Sequence, residues 1–213
     1  AARLVLKYLQ GAFRRERHQR CDIPHTSRPE APRVDAHATG TEASIGGWLP
    51  TRDKSGHIQT HLSPWFHFTL TAQEAPWAFT RDRKPTRVVS TIELVATLVA
   101  CQLLIQPPDD DELQHVAIFP GFTDSQCNGF LLARLMTTKF PAMLVLMELA
   151  DQLHDRSAVA NIFWAPRELN FAADHLANGL FAGFSPALRV GHSWASVTSS
   201  WHTFDSMSTA AAE

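Results

Sequence analysis

The chain has 213 residues, 45% of them hydrophobic and 19% charged, enough for one buried core of ordinary size and too little for two. A formal net charge of −2 with a pI near 6.6 excludes a globally basic polyanion binder, so any contact with nucleic acid has to come from local patches. No apolar run reaches the roughly 18–20 residues of a membrane span and no signal-peptide pattern opens the chain. Cys21, Cys101 and Cys127 lie far apart without CxxC spacing, which predicts a reducing, intracellular setting, cytoplasmic or nuclear, with no disulfide framework or zinc knuckle.

Residues 1–20 set Leu4, Leu6, Leu9 and Phe13 among Arg3, Lys7, Arg14, Arg15, Arg17 and Arg20, the pattern of a short basic amphipathic helix. A solvated helix on the edge of the core fits it as well as a nucleic-acid-contacting arm or the tail of an upstream domain. Pro24, Pro29 and Pro32 then predict a linker, so residues 1–32 are expected to precede the folded domain. Val34 to Ala38, Ile45 to Leu49 and His61 to Thr71 read as three short strands, with a turn at Gly40, and suggest an antiparallel meander. After the basic turn RDRKPTR, Ser90 is a candidate N-cap for a helix carrying Ile92, Val95, Ala96, Val99 and Leu103, which Pro107 and Pro108 stop.

His115 to Thr123 is β-like and runs into Asp124; helices are expected over roughly 126–138 and 141–154, the second apolar nearly all round at its start. Val159 to Trp164 is a strand broken by Pro166, and Asn170 can cap a last helix through Leu176 and Leu180, ended by Gly179 or Gly183. Residues 191–213 are rich in Ser, Thr and Ala, with Trp194 and Trp201 isolated among them, and read as a flexible tail. The folded domain is therefore placed at 33–190, an α/β unit with a mixed five-stranded sheet and helices on its faces.

Four acids stand where such a sheet brings them together. Asp35 interrupts an apolar strand, Glu93 is expected in the first turn of an apolar helix, Asp124 ends a strand, and Asp174 is early in the last helix. Strand ends of α/β sheets are where ligands bind. Four clustered carboxylates are costly unless cations fill the site, and oxygen-only ligation selects Mg²⁺ or Mn²⁺ over zinc. Two such ions suit in-line phosphodiester displacement. Any one of these acids alone is more simply a cap or a solvated charge.

At these residues the sequence resembles the ribonuclease H family, in particular the ribonuclease H domains that follow reverse transcriptase in retroelements. The resemblance covers about residues 33–182, in VDAHATGTEASIGGW, STIELVATLVACQLL, FTDSQCNGF and WAPRELNFAADHLANG, with acid spacings of 93 − 35 = 58, 124 − 93 = 31 and 174 − 124 = 50 residues. It implies the ribonuclease H-like sheet, three antiparallel strands then two parallel, and hydrolysis of the RNA strand of an RNA–DNA hybrid. Asp35, Glu93 and Asp124 are then the core ligands of two Mg²⁺ or Mn²⁺ ions, Asp174 completes the second site, and a reverse transcriptase domain lies upstream.

On that resemblance Thr39, Gly40 and Thr41 are expected against the hybrid, and Gln126 and Asn128 at its minor groove, with helix capping or surface exposure fitting the last two equally well. Cellular members carry a catalytic His before the final Asp, whereas here only PREL separates Ala165 from Asn170, with Arg167 or Glu168 in a position to act in its stead. Arg167 and Asn170 join the expected nucleic-acid surface. Among the other residues, His57, His61 and His67 lack zinc spacing, and Trp48, Trp65, Trp77 and Trp164 are expected in the core or at its edge, Trp77 with a stacking role as the alternative. No GxSxG, Walker loop or GxGxxG is present, so no small-molecule cofactor is expected. The readings from other classes are a noncatalytic module of this fold that tethers nucleic acid or a protein, and a transposase-type nuclease.

Overall fold

The computed structural model describes residues 25–27, 30–79, 85–105, 116–156, 158–191 and 193–202. Six strands run in chain order: β1 (His25–Ser27), β2 (Arg33–Thr39), β3 (Glu42–Trp48), β4 (Trp65–Leu70), β5 (Val116–Thr123) and β6 (Ala158–Trp164). The helices are α1 (Val89–Leu104), α2 (Gln126–Arg134), α3 (Ala142–Asp155), α4 (Phe171–Ala177) and α5 (Trp194–Thr198). The basic segment at 1–20, Cys21, His115 and the helix-stopping Pro107 and Pro108 lie outside the described residues.

The expected meander is present: β2 pairs antiparallel with β3 through the Gly40 turn, where φ is +49°, and β3 pairs antiparallel with β4. A left-handed φ of that kind is cheap for glycine. β5 lies parallel to β6 along its whole length and joins the meander through the parallel pair Arg33 and Phe122. The main sheet thus runs β4-β3-β2-β5-β6, three antiparallel strands and then two parallel, in the ribonuclease H-like order. One addition differs from the sequence reading. The proline-rich stretch assigned to a linker contributes β1, which pairs parallel with Val116–Ile118 of β5. A three-residue strand between breakers has no readable alternation, so its pairing comes from the groove β5 leaves open beside β2.

Alternation along the strands separates two cores. Val34, Ile45, Phe66, Phe68 and Leu70 face α1 and α3, with Leu94, Val95, Leu98 and Val99 fully buried between them. Because α1 lies between the sheet and α3, it is apolar all round rather than on one stripe. Trp48 and Trp65 face the other way, onto Ala172, Ala173 and Leu176 of α4.

Several boundaries shift. Ser90 does not cap α1: a 3-10 turn over Pro85–Val88 leads into the helix, Val88 holds the cap position, and Glu93 falls in the second turn. The last helix stops at Ala177, and Gly179 takes φ +74° just beyond it. Trp77 is fully buried and offers no stacking surface, whereas Trp164 is 48% exposed.

The C-terminal segment is the largest correction. Of the expected tail, residues 193–202 are packed, because two large indoles outweigh the polar residues between them, and residues 203–213 lie outside the described residues. Trp194 is buried against Phe68 and donates its Nε1–H to Glu74 O at 3.1 Å; Trp201 stacks edge-on to Trp194 and donates to Gln102 Oε1 at 2.8 Å. Gln102 answers with its amide, which donates to Val197 O at 2.9 Å. Trp194→Ala should therefore cost about 3–5 kcal/mol in chemical denaturation, the loss expected of a core aromatic; a change under about 0.5 kcal/mol would restore the free tail.

Candidate active site

The site forms where β2 and β5 part. Arg33 and Phe122 are their last parallel partners, and Asp35 and Asp124 each stand two residues further on, at strand positions that diverge. Such a split in a mixed sheet leaves a crevice that a ligand can enter. Asp35 is only 5% exposed, faces Gly46 across the β2–β3 pair and accepts the amide of Ala36 at 2.8 Å. Glu93 reaches in from α1, and α2 begins directly after Asp124.

Gly46 decides where α4 lies. A Cβ there would sit 2.6 Å from the Leu176 carbonyl carbon, so only glycine admits the helix backbone onto the sheet. Three hydrogen bonds then fix the helix: Ser44 Oγ donates to Ala177 O at 2.6 Å, the His67 ring pairs through Nδ1 with Leu176 O at 2.8 Å, and Asn170 Nδ2 donates to Val34 O at 2.9 Å. His67 is thus a structural donor, and burial lowers its pKa, which favours the neutral ring.

One oxygen each from Asp35, Glu93 and Asp124 lie within 4.8 Å of one another. Asp174 stands outside that trio, ion-paired with Arg167, although its charge acts on Asp35 and Asp124. Burial first, and then the charge of Asp124, pushes the Asp35 carboxyl up to about 8. Glu93 is pushed up to about 7, again mainly by burial, with the Ser125 hydrogen bond and Arg167 opposing the shift and Asp124 adding to it. Burial also raises Asp124. Two unit charges 4–5 Å apart repel by roughly 3–4 kcal/mol at an effective dielectric near 20, so the ionised trio is unfavourable by itself. An all-oxygen donor set of one buried and two half-buried carboxylates fits a hard divalent cation.

The remaining expected contacts separate into two groups. Thr39, Gly40 and Thr41 form the exposed β2–β3 turn, and Gln126 and Arg167 are also exposed at the rim. Asn128 and Asn170 are not surface groups: they are 1% and 2% exposed. Asn128 Nδ2 donates to Glu93 Oε2 at 3.0 Å and to Ser90 O at 2.8 Å, so its amide is committed inward and does not reach a groove of nucleic acid. Asn170 occupies the N-cap position of α4 but spends its side chain on β2 instead of a helix amide.

Two features escaped the sequence reading. Ser125, between Asp124 and Gln126, directs its hydroxyl to Glu93 rather than capping α2. Trp164 Nε1 donates to Asp124 O at 2.9 Å, tying the end of β6 to the end of β5. The sequence signal for Ser125 is its place immediately after the strand-end acid; for Trp164 there was none beyond its position at the end of the parallel strand.

No protein-family model matches the chain, and no curated protein matches it. Among solved structures it is similar to ribonuclease H1 of the halophilic archaeon Halobacterium salinarum, at 19% identity and TM-score 0.43, covering 73% of this chain and 97% of that one. It is similar to the N-terminal ribonuclease H domain of a Mycobacterium tuberculosis protein solved as a maltose-binding-protein fusion, at 20% identity, TM-score 0.42 and coverages of 71% and 91%. A ribonuclease H1 from compost, solved in complex with RNA/DNA hybrid, is similar at 18% identity, TM-score 0.45 and coverages of 70% and 94%. At these scores the strand order and the acid cluster, not the superpositions, define the class: a mixed α/β domain of ribonuclease H-like topology with a carboxylate trio at the sheet split.

The raised carboxyls set a pH dependence. Asp35 and Glu93 keep protons when folded that the unfolded chain releases near its ordinary values of 3.8 and 4.5, so stability falls as pH rises from about 4 through about 8. In chelator, the Tm should drop between about pH 5 and about pH 8, and Asp35→Asn should flatten that slope and stabilise the metal-free protein at the alkaline end by roughly 2–4 kcal/mol. A slope that Asp35→Asn leaves unchanged would show that the trio is not its source.

Proposed function

We propose that this chain is a metal-dependent endoribonuclease that hydrolyses the RNA strand of RNA–DNA hybrids. The observation that supports the reading best is the convergence of Asp35, Glu93 and Asp124 within 4.8 Å at the split between β2 and β5. On this reading Asp35, Glu93 and Asp124 would hold a Mg²⁺ or Mn²⁺ ion, and Asp174 would complete a second ion site. Bound there, such ions supply charge stabilisation at the phosphate and lower the pKa of water for phosphodiester hydrolysis.

The chain's own residues have separate tasks. Buried Asp35 and half-buried Glu93 and Asp124 keep their oxygens close together and partly shielded from water, which strengthens their hold on a cation. Exposed Arg167 places a cation beside the acids, where it neutralises a backbone phosphate. The Thr39–Thr41 turn and Gln126 present amide and hydroxyl groups suited to 2′-hydroxyls and base edges in the minor groove of a hybrid. With no His in PREL, Arg167 is the cation next to the final acid.

We also place the chain within a retroelement polyprotein with a reverse transcriptase domain upstream. The WAPRELNFAAD form and the basic pattern at 1–20 support that placement.

Labelled RNA–DNA hybrid should be cleaved in the RNA strand with Mg²⁺ or Mn²⁺, while double-stranded RNA and DNA are spared. Asp124→Asn should lower the rate at least about 100-fold without unfolding the protein. A folded, metal-supplemented protein that binds hybrid and leaves it intact would point instead to a tethering module.

A further inference from the structure

We propose that Asn128 is a positioning residue that holds the Glu93 carboxylate toward Asp35 and Asp124. The inference rests on reading that trio as the ion site. Asn128 is 1% exposed in α2, on the same buried side as Leu132 one turn later, a position that an apolar side chain would fill without penalty. Its amide nitrogen faces two acceptors, Ser90 O at 2.8 Å and Glu93 Oε2 at 3.0 Å, and both of its hydrogens are used. Rotating the amide by half a turn would set oxygen against a carboxylate and a carbonyl, so the orientation is dictated by its neighbours.

The Oδ1 end supports the same assignment. It is buried and accepts no hydrogen bond among the described residues. A buried amide left with an unmet acceptor is expensive, so what keeps it in place lies at the nitrogen end. That end ties the first turn of α2 to α1 at two points, the backbone of Ser90 and the side chain of Glu93, three residues apart on the helix. Ser125 approaches the same carboxylate from the start of α2. Glu93 is the longest of the trio, with three rotatable bonds, and it comes from a helix instead of the sheet. Its ordering therefore depends on donors from α2, whereas Asp35 is set by β2 itself. A hydrogen-bonded ligand is ordered before the cation arrives, and loss of such a partner usually weakens metal affinity 10- to 100-fold.

The test is titration calorimetry of metal-free protein with Mn²⁺, for the parent, Asn128→Leu, Glu93→Gln and the double variant, with chelator melting curves for each. Asn128→Leu should weaken Mn²⁺ binding at least about tenfold while the metal-free Tm stays within a few degrees, and it should have no further effect in the Glu93→Gln background. If Asn128→Leu does not fold, Asn128→Ser, too short to reach Glu93, should show the same loss. Affinity within about twofold of the parent in a folded variant, or an equal loss with and without Glu93, would overturn the proposal and leave the ion site standing. A parent that binds no Mn²⁺ would overturn both.

Discussion

A buried aspartate in the middle of a strand has to be accommodated by everything around it, and here Asp35 sets the terms for its neighbours. Its level in β2 is matched by Gly46 in β3, the position where α4 needs a bare backbone to approach. It sits just past the point where β2 leaves β5, so its carboxyl meets the end of β5 at Asp124 and the side of α1 at Glu93. Moving Asp35 by one residue would turn it into the core formed by Val34, Phe66 and α1. Sheet register, helix approach and charge clustering are consequences of one placement.

The cluster is electrostatically unfavourable in the polypeptide alone, and the surrounding groups are arranged to contain it. Ser125 and Asn128 donate to Glu93, the Ala36 amide to Asp35, and Arg167 pairs with Asp174. Each is a donor or a cation, and they come from three separate stretches of chain. The site is thus assembled by packing α1, α2 and α4 against the sheet, which is why no short motif specifies it.

The sheet and the three acids that converge at its split were legible in the sequence because their signals are local: alternation in 33–70, a strand running into Asp124, and an apolar helix carrying one acid. Spacing between the acids added the long-range part. Asn128 was misread because a polar residue two positions beyond Gln126 gives no hint that the helix turns it inward, whereas Gln126 remains at the surface. β1 was missed because three residues between prolines carry no periodicity, and its strand character comes entirely from its partner. The C-terminal segment was misjudged on composition: average polarity hides two tryptophans whose buried area decides the outcome.

That segment has a consequence for where the chain can be divided. The last of the four acids is Asp174, and the sheet ends with β6, yet Gln102 near the close of α1 is hydrogen-bonded to Val197, Ser200 and Trp201. Glu93 stands on the same helix. A piece cut after α4 would retain every acid and lose the anchor of the helix that carries one of them, leaving a hydrophobic slot against Phe68 open to water. The packed unit is longer than the stretch that carries the acids, and a boundary drawn from the acids alone would cut away the packing of Trp194 and Trp201.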